Sequence, residues 1–166
     1  MSALTDYNLA RESREAELNE IREAASKLAR SFPLSYWRDC DKHEKYPWEF
    51  VNAFANGGWL GILLPEEYGG MNLGVTEAAV MLSEIARSGA GMSGASAAHF
   101  YVFPPQPILR HGSADLKQRI LPQMAQGKLL MAFGVTEPTA GVDTSRIKTR
   151  AERKGDRWVI NGQKVW

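Results

Sequence analysis

Residue types able to do chemistry gather in three places. The first is Gly134-Val135-Thr136-Glu137-Pro138-Thr139-Ala140-Gly141-Val142-Asp143, followed downstream by Asn161-Gly162-Gln163-Lys164-Val165-Trp166. Pro138 stops the apolar run before it, because a proline cannot donate to a strand ladder. Ala140 and Gly141 then leave the backbone bare enough for a ligand to approach it closely. A turn that holds a ligand is the chemistry these small residues suggest. The carboxylates Glu137 and Asp143 read as groups that order the loop. The second place is Arg38-Asp39-Cys40-Asp41-Lys42-His43-Glu44-Lys45, where a thiol, an imidazole and several carboxylates invite a metal reading. No second ligand pair stands at metal spacing, so the run reads as a solvated face or connector and no metal is expected. The third is His99, alone in an apolar stretch, which reads as a packed or hydrogen-bonded side chain.

The elements that must position these residues follow from periodicity. The nearly all-apolar run from Leu129 to Thr136 predicts a strand covered on both faces. Alternation at Ile147, Thr149 and Ala151 predicts a second strand, and Trp158 and Ile160 begin a third. Gly155-Asp156 predicts the tight hairpin between them, and Asn161-Gly162 predicts a type I′ turn. Upstream, Leu18, Ile21, Ala25, Leu28 and Phe32 mark one helical face, ended by Pro33, with Arg14, Glu15, Arg22 and Glu23 toward solvent. Pro47 suits the first turn of a second helix that turns Val51 and Phe54 inward and stops at Gly57. The apolar half of 58–64 must be buried, and Pro65-Glu66-Glu67-Tyr68-Gly69-Gly70 is loop chemistry. Thr76 is expected to cap a third helix, with Glu77 near its positive end, a Val75–Val80 staple, and Gly89 at its stop. From Gly91 to Phe103 the residues are small and apolar, which suits close helix packing or a slender ligand. Pro104, Pro105 and Pro107 precede a short helix that ends near His111-Gly112. Ser113 should cap a last helix carrying Leu116, Ile120, Leu121 and Met124, kinked at Pro122.

Composition excludes several classes. The chain has 166 residues, a net charge of +1 and 44% hydrophobic residues. That balance gives no electrostatic reason to expect nucleic acid or an anionic membrane surface as a partner. Cys40 is the only cysteine, so no internal disulfide is possible and a reducing, cytoplasmic location is expected. No apolar run approaches the ~20 residues that span a bilayer. The fold class is mainly α. A helical bundle over 1–128 is followed over 129–166 by the first strands of an antiparallel, β-barrel-like domain, which reads as the N-terminal part of a longer protein.

The anchors Gly134-Val135-Thr136-Glu137-Pro138, Ala140-Gly141-x-Asp143, Ile147-Lys148-Thr149 and Asn161-Gly162-x-Lys164-x-Trp166 resemble the acyl-CoA dehydrogenases. Pro65-Glu66-Glu67-Tyr68-Gly69-Gly70 and Lys117…Leu121-Pro122…Gly127 resemble the same family, so the likeness covers nearly the whole chain. The sequence departs from the family at Val142, where a Ser or Thr is usual, and at Arg146, where a small residue is usual. The resemblance implies FAD as cofactor, an acyl-CoA thioester as substrate and α,β-desaturation as the reaction. It implies an electron-transferring flavoprotein as partner and a homo-oligomer, tetramer or dimer. It places Phe133, Gly134 and Val135 against the flavin, Thr136 on its pyrimidine edge and Trp166 over the ring. Gly141 and Val142 stand where cofactor and acyl-CoA meet the loop, and His99 lies in the helix that borders the acyl pocket. The family's catalytic base lies on a later helix, so no catalytic residue is expected in this chain and the chain alone is expected to be inactive. The same scaffold also carries acyl-CoA oxidases and flavin monooxygenases, and a helical interaction module without catalysis is the reading from a different class.

Overall fold

The computed structural model describes the backbone of residues 3–166 and the side chains of residues 11–166. Its described residues form seven α-helices and one two-stranded hairpin: α1 (Ala3–Arg30), α2 (Leu34–Lys42), α3 (Trp48–Asn56), α4 (Val75–Ile85), α5 (Gly91–Val102), α6 (Gln106–His111), α7 (Ala114–Ala125), β1 (Arg150–Lys154) and β2 (Arg157–Asn161). The chain divides into two compact units, residues 1–131 and 132–166. A mainly helical chain followed by the start of a β domain is the predicted fold class.

In the first unit, α1 packs along α4 and α4 packs on α5. The stripe expected on α1 faces inward: Ala25 and Ala29 are fully buried, and Ile21, Leu28 and Phe32 pack against the same core. That core continues through Phe50, Val51 and Phe54 of α3, Met81 and Ile85 of α4, and Ala98 and Tyr101 of α5. A second, smaller cluster joins Leu64 and Tyr68 to Leu121 and Ala125 of α7. The segment 59–64 is buried apart from Leu63, which is partly so, as its apolar run requires.

Residues 34–42 form a helix, so the charged run lies largely on a solvated helix face, the first of the two alternatives that the sequence offered. Its charged sequence hides one inward residue, Trp37, whose indole N–H donates to the Phe32 carbonyl at 3.2 Å and whose ring lies 5.0 Å from Phe50. Three local expectations are corrected further along the chain. Helix α4 begins two residues earlier than a Thr76 cap would allow. Gly74 takes the cap position, and its N–H donates to the Glu77 carboxylate at 2.9 Å. Val75 is 76% exposed and cannot act as a staple. The run from Leu129 to Thr136 forms no strand. Ladder partners are what make an apolar run a strand; among the described residues this one has only two backbone hydrogen bonds, Leu129 N–H back to the Gln123 carbonyl at 3.3 Å and Val165 N–H to the Thr136 carbonyl at 3.0 Å, and they form no ladder. Leu130 and Phe133 stand 45% and 52% exposed, so the expected cover on both faces is absent.

The third correction concerns Asn161-Gly162, where neither residue has the positive φ that a type I′ turn needs. Gly162 is required for another reason, because a Cβ there would overlap the Thr149 side chain. The expected hairpin at Gly155-Asp156 does form. Lys154 pairs with Arg157 across it, and Gly155 takes φ 66° while Asp156 stays negative, the pattern of a type II′ turn. The predicted meander is thus one hairpin preceded by an extended run.

Helix ends follow the expected chemistry elsewhere. Ser113 Oγ accepts from Leu116 N–H at 3.2 Å. Gly127, at φ 69°, ends α7 in a Schellman motif: its own N–H reaches the Met124 carbonyl at 3.0 Å, and Lys128 N–H reaches Gln123 at 2.8 Å. Gly89, at φ 106°, lies in a π-helical turn between α4 and α5.

Candidate functional site

The loop of the second unit is built around Glu137. Its backbone exchanges hydrogen bonds with Ala140, at 2.9 and 3.1 Å, closing a turn with Pro138 at the position where its fixed φ fits. Its carboxylate is buried, at 5% residue exposure. Oε2 accepts from Lys148 N–H at 2.7 Å, and Oε1 accepts from Thr149 N–H at 2.9 Å and from Lys164 Nζ at 3.0 Å. The same ammonium donates to the Val135 carbonyl at 2.8 Å. The Thr149 side chain beside it, the Lys148 and Thr149 amides and the Lys164 ammonium together hold Glu137 down at about 2. The two amides and the ammonium are its well-aligned donors, while the Thr149 hydroxyl makes no well-directed bond. Asp143 orders the far side of the loop, accepting from Ser145 N–H at 3.2 Å and Ser145 Oγ at 2.5 Å. Both carboxylates are therefore spent on shaping the turn.

This knot places the anticipated site residues as follows. Thr136 is tied through its carbonyl, and its side chain is exposed. Phe133 and Gly134 lie exposed along the extended run, and Val135 is half-buried where Lys164 grips its carbonyl. A Cβ on Gly141 would meet open space, so no contact among the described residues demands glycine there. Val142 and Trp166 are fully exposed, at 104% and 103%. Sequence reasoning missed Lys164 as the partner of Glu137 and Val135. Its only signal is a basic residue in an otherwise uncharged 161–166 run, which names no partner.

His99 belongs to the helical unit. It stacks on Phe103 with ring centroids 5.5 Å apart and planes 7° from parallel. Both rings line an open cleft of about 350 Å³ with Leu63, Val75, Leu82 and Val102 as further apolar walls and Gln106 and Arg110 from α6. The small residues of α5 are used elsewhere. Gly94, Ala97 and Ala98 are buried, and a Cβ on Gly94 would come within 2.5 Å of Ala90 and 3.1 Å of Trp37. Close packing accounts for them, and α5 lends the cleft its C-terminal end instead. Gln106 and Arg110 escaped the sequence reading, although their i, i+4 spacing puts them on one face.

The charged run 38–45 is held by ion pairs: Asp39 meets His43 at 2.9 Å and Lys45 at 3.2 Å. The Lys45 ammonium is the main cause that lowers the Asp39 carboxyl from its ordinary range. No group of three or more metal-ligating side chains occurs among the described residues. No helix among them is long and apolar enough to cross a membrane.

Residues 15–128 match the family profile described as acyl-CoA dehydrogenase, N-terminal domain. The chain belongs to the acyl-CoA dehydrogenase family. It is 35% identical over 154 residues to acyl-CoA dehydrogenase FadE12 of Mycobacterium tuberculosis, covering 90% of this chain and 38% of that one. It is 32% identical over 152 residues to mitochondrial isovaleryl-CoA dehydrogenase of Bos taurus, covering 90% and 35%. The crystal structure of acyl-CoA dehydrogenase from Geobacillus kaustophilus superposes with a TM-score of 0.70 at 29% identity, over 89% of this chain and 38% of that one. The chain thus spans well under half the length of these relatives.

Proposed function

We propose that this chain supplies the helical domain and the first flavin-facing loop of an FAD-dependent acyl-CoA dehydrogenase, which desaturates an acyl-CoA thioester between its α and β carbons. Bound FAD would supply the hydride-accepting chemistry, and the protein's task is to bind, orient and shield. The residues present fit such a group. An extended backbone run with exposed Phe133, Gly134 and Thr136, an open Gly141 and a fully exposed Trp166 offers flat apolar and hydrogen-bonding surface with no packing partner of its own for the Trp166 ring. Phe133, Val135 and Trp166 would pack on the ring system. Thr136 would hydrogen-bond its edge, and Gly141 and Val142 would leave room for cofactor and thioester. His99 and its cleft would face the acyl tail.

The observation that carries this reading is the Glu137 knot. It fixes the loop between Thr136 and Gly141 in advance, so that ligand contacts cost little ordering. The knot also argues against Glu137 itself as the base. A group that takes an α proton works best with a pKa near the operating pH, and Glu137 sits at about 2 behind three donors. The same reading, with the family's base on a later helix, expects no turnover by this chain alone. An electron-transferring flavoprotein as partner, homo-oligomeric assembly and a cytoplasmic location belong to the same reading.

The test is a titration of the chain with FAD, followed through tryptophan fluorescence. Weak quenching that is reduced by Trp166→Ala and by Thr136→Val supports the site. Quenching indifferent to both substitutions would place the cofactor elsewhere.

A further inference from the structure

The cleft between α4, α5 and α6 carries a polarity that a plain alkyl tail would not use. Its walls are apolar: Leu63, Val75, Leu82 and Val102, with the stacked Phe103 and His99. No acidic side chain lines it. Two groups at the α6 side are donors. Gln106 Nε2 is buried and has no hydrogen-bond partner among the described residues. Arg110, one turn further along α6, is exposed and makes no ion pair among the described residues. A buried amide N–H without an acceptor is costly and rare in a folded protein. A guanidinium four residues away on the same helix face is the group best suited to a planar anion.

We propose that this cleft binds an alkyl chain that ends in a carboxylate, with the carboxylate at Gln106 and Arg110 and the chain along Leu63, Val75, Leu82 and Val102. The charge complementarity is one-sided, since the cleft offers cationic and donor groups and no anion. Its size, about 350 Å³, lies at the lower end of small-molecule sites and suits a short or medium chain. Phe103 and His99 form the remaining wall, flat on one side and polar at its edge. The ligand chemistry has two possible sources: a free fatty carboxylate, or the far end of a dicarboxylyl thioester. The second source rests on the acyl-CoA reading above; the first does not.

The experiment uses the purified chain and isotope-edited NMR, with octanoate and octanol as probes of equal length. Octanoate is expected to shift the amides of Val102, Phe103, Gln106 and Arg110, and to bind roughly tenfold more weakly to Arg110→Gln, the loss of one charge-assisted contact. Octanol is expected to bind more weakly than octanoate to the native chain and equally to both forms. Gln106→Leu should lower octanoate affinity while sparing octanol. Thermal melts of each variant establish that it folds, and a melt shifted beyond the native transition transfers the comparison to Arg110→Lys. That variant keeps the charge, loses the fork, and is expected to recover only part of the affinity. A second pair, octanoyl-CoA and the mono-CoA thioester of octanedioic acid, separates the sources. Tighter binding of the dicarboxylyl thioester assigns the site to the substrate's far end, and equal binding assigns it to free fatty carboxylates. Octanoate that fails to bind, binds no better than octanol, or ignores Arg110 would overturn the proposal. Because no arm contains FAD, a failure here is distinct from a failure of the flavin titration.

Discussion

Lys164 Nζ stands 3.0 Å from Glu137 Oε1 and 2.8 Å from the Val135 carbonyl, so one ammonium joins the two ends of the β unit. The Glu137 carboxylate it meets is buried and already holds the Lys148 and Thr149 amides. Loop, hairpin entry and the 161–166 run are thereby one structure.

Acid should dissolve that structure. Glu137 lies at about 2 in the fold against an ordinary 4.5, so its contribution is fully present above pH 4.5 and is lost as pH falls toward 2. Fluorescence of Trp158 and Trp166 followed from pH 7 to pH 2 should show a transition in that window. Glu137→Gln should abolish the transition and leave the loop looser at neutral pH. An identical acid profile in the variant would show that other carboxylates control it.

The ion pair between Arg14 and Glu77 should be unequal in its two halves. The Glu77 side chain is 3% exposed and also accepts the Gly74 N–H, whereas the Arg14 side chain is 50% exposed. Glu77→Ala leaves a helix N-terminus uncapped and is expected to cost about 1–3 kcal/mol. Arg14→Ala is expected to cost less than about 1 kcal/mol because solvent screens its half of the pair. Urea unfolding of the two variants and the double variant measures this. A larger cost for Arg14→Ala would contradict it.

Gly70 permits the closest backbone approach in the helical unit. A Cβ there would overlap the Leu64 carbonyl and come within 2.6 Å of the Gly61 carbonyl. Gly70→Ala is expected to destabilise the unit by about 2–4 kcal/mol, the range of overpacked and strained sites. Gly69→Ala nearby meets no atoms and pays only for its positive φ of 78°. Thermal melts should rank Gly70→Ala well below Gly69→Ala.

Val142→Ser should leave stability within about 0.5 kcal/mol of the native chain, because the side chain is fully exposed. If the loop binds cofactor and thioester as proposed, the added hydroxyl strengthens FAD quenching. A large loss of melting temperature would mean that Val142 packs in solution against something that this fold leaves open.

What the sequence determined by itself is what depends on neighbours along the chain. The α1 stripe, the Ser113 cap and the Gly155-Asp156 turn were legible because each is decided within one or two turns of backbone. The Thr136–Asp143 anchors were legible too, since their order is specific to a family. Tertiary structure decided the rest. Which residue of the charged 34–42 stretch turns inward was decided by packing, Trp37 burying its ring against Phe50. Absent ladder partners kept 129–136 from becoming a strand, whatever its apolar content. Gly162 proved to be a contact with Thr149 and no turn at all. The Glu137–Lys164 pair and the cleft beneath His99 join residues that periodicity never relates, because a charge or a cavity is shared across space and leaves no spacing to read.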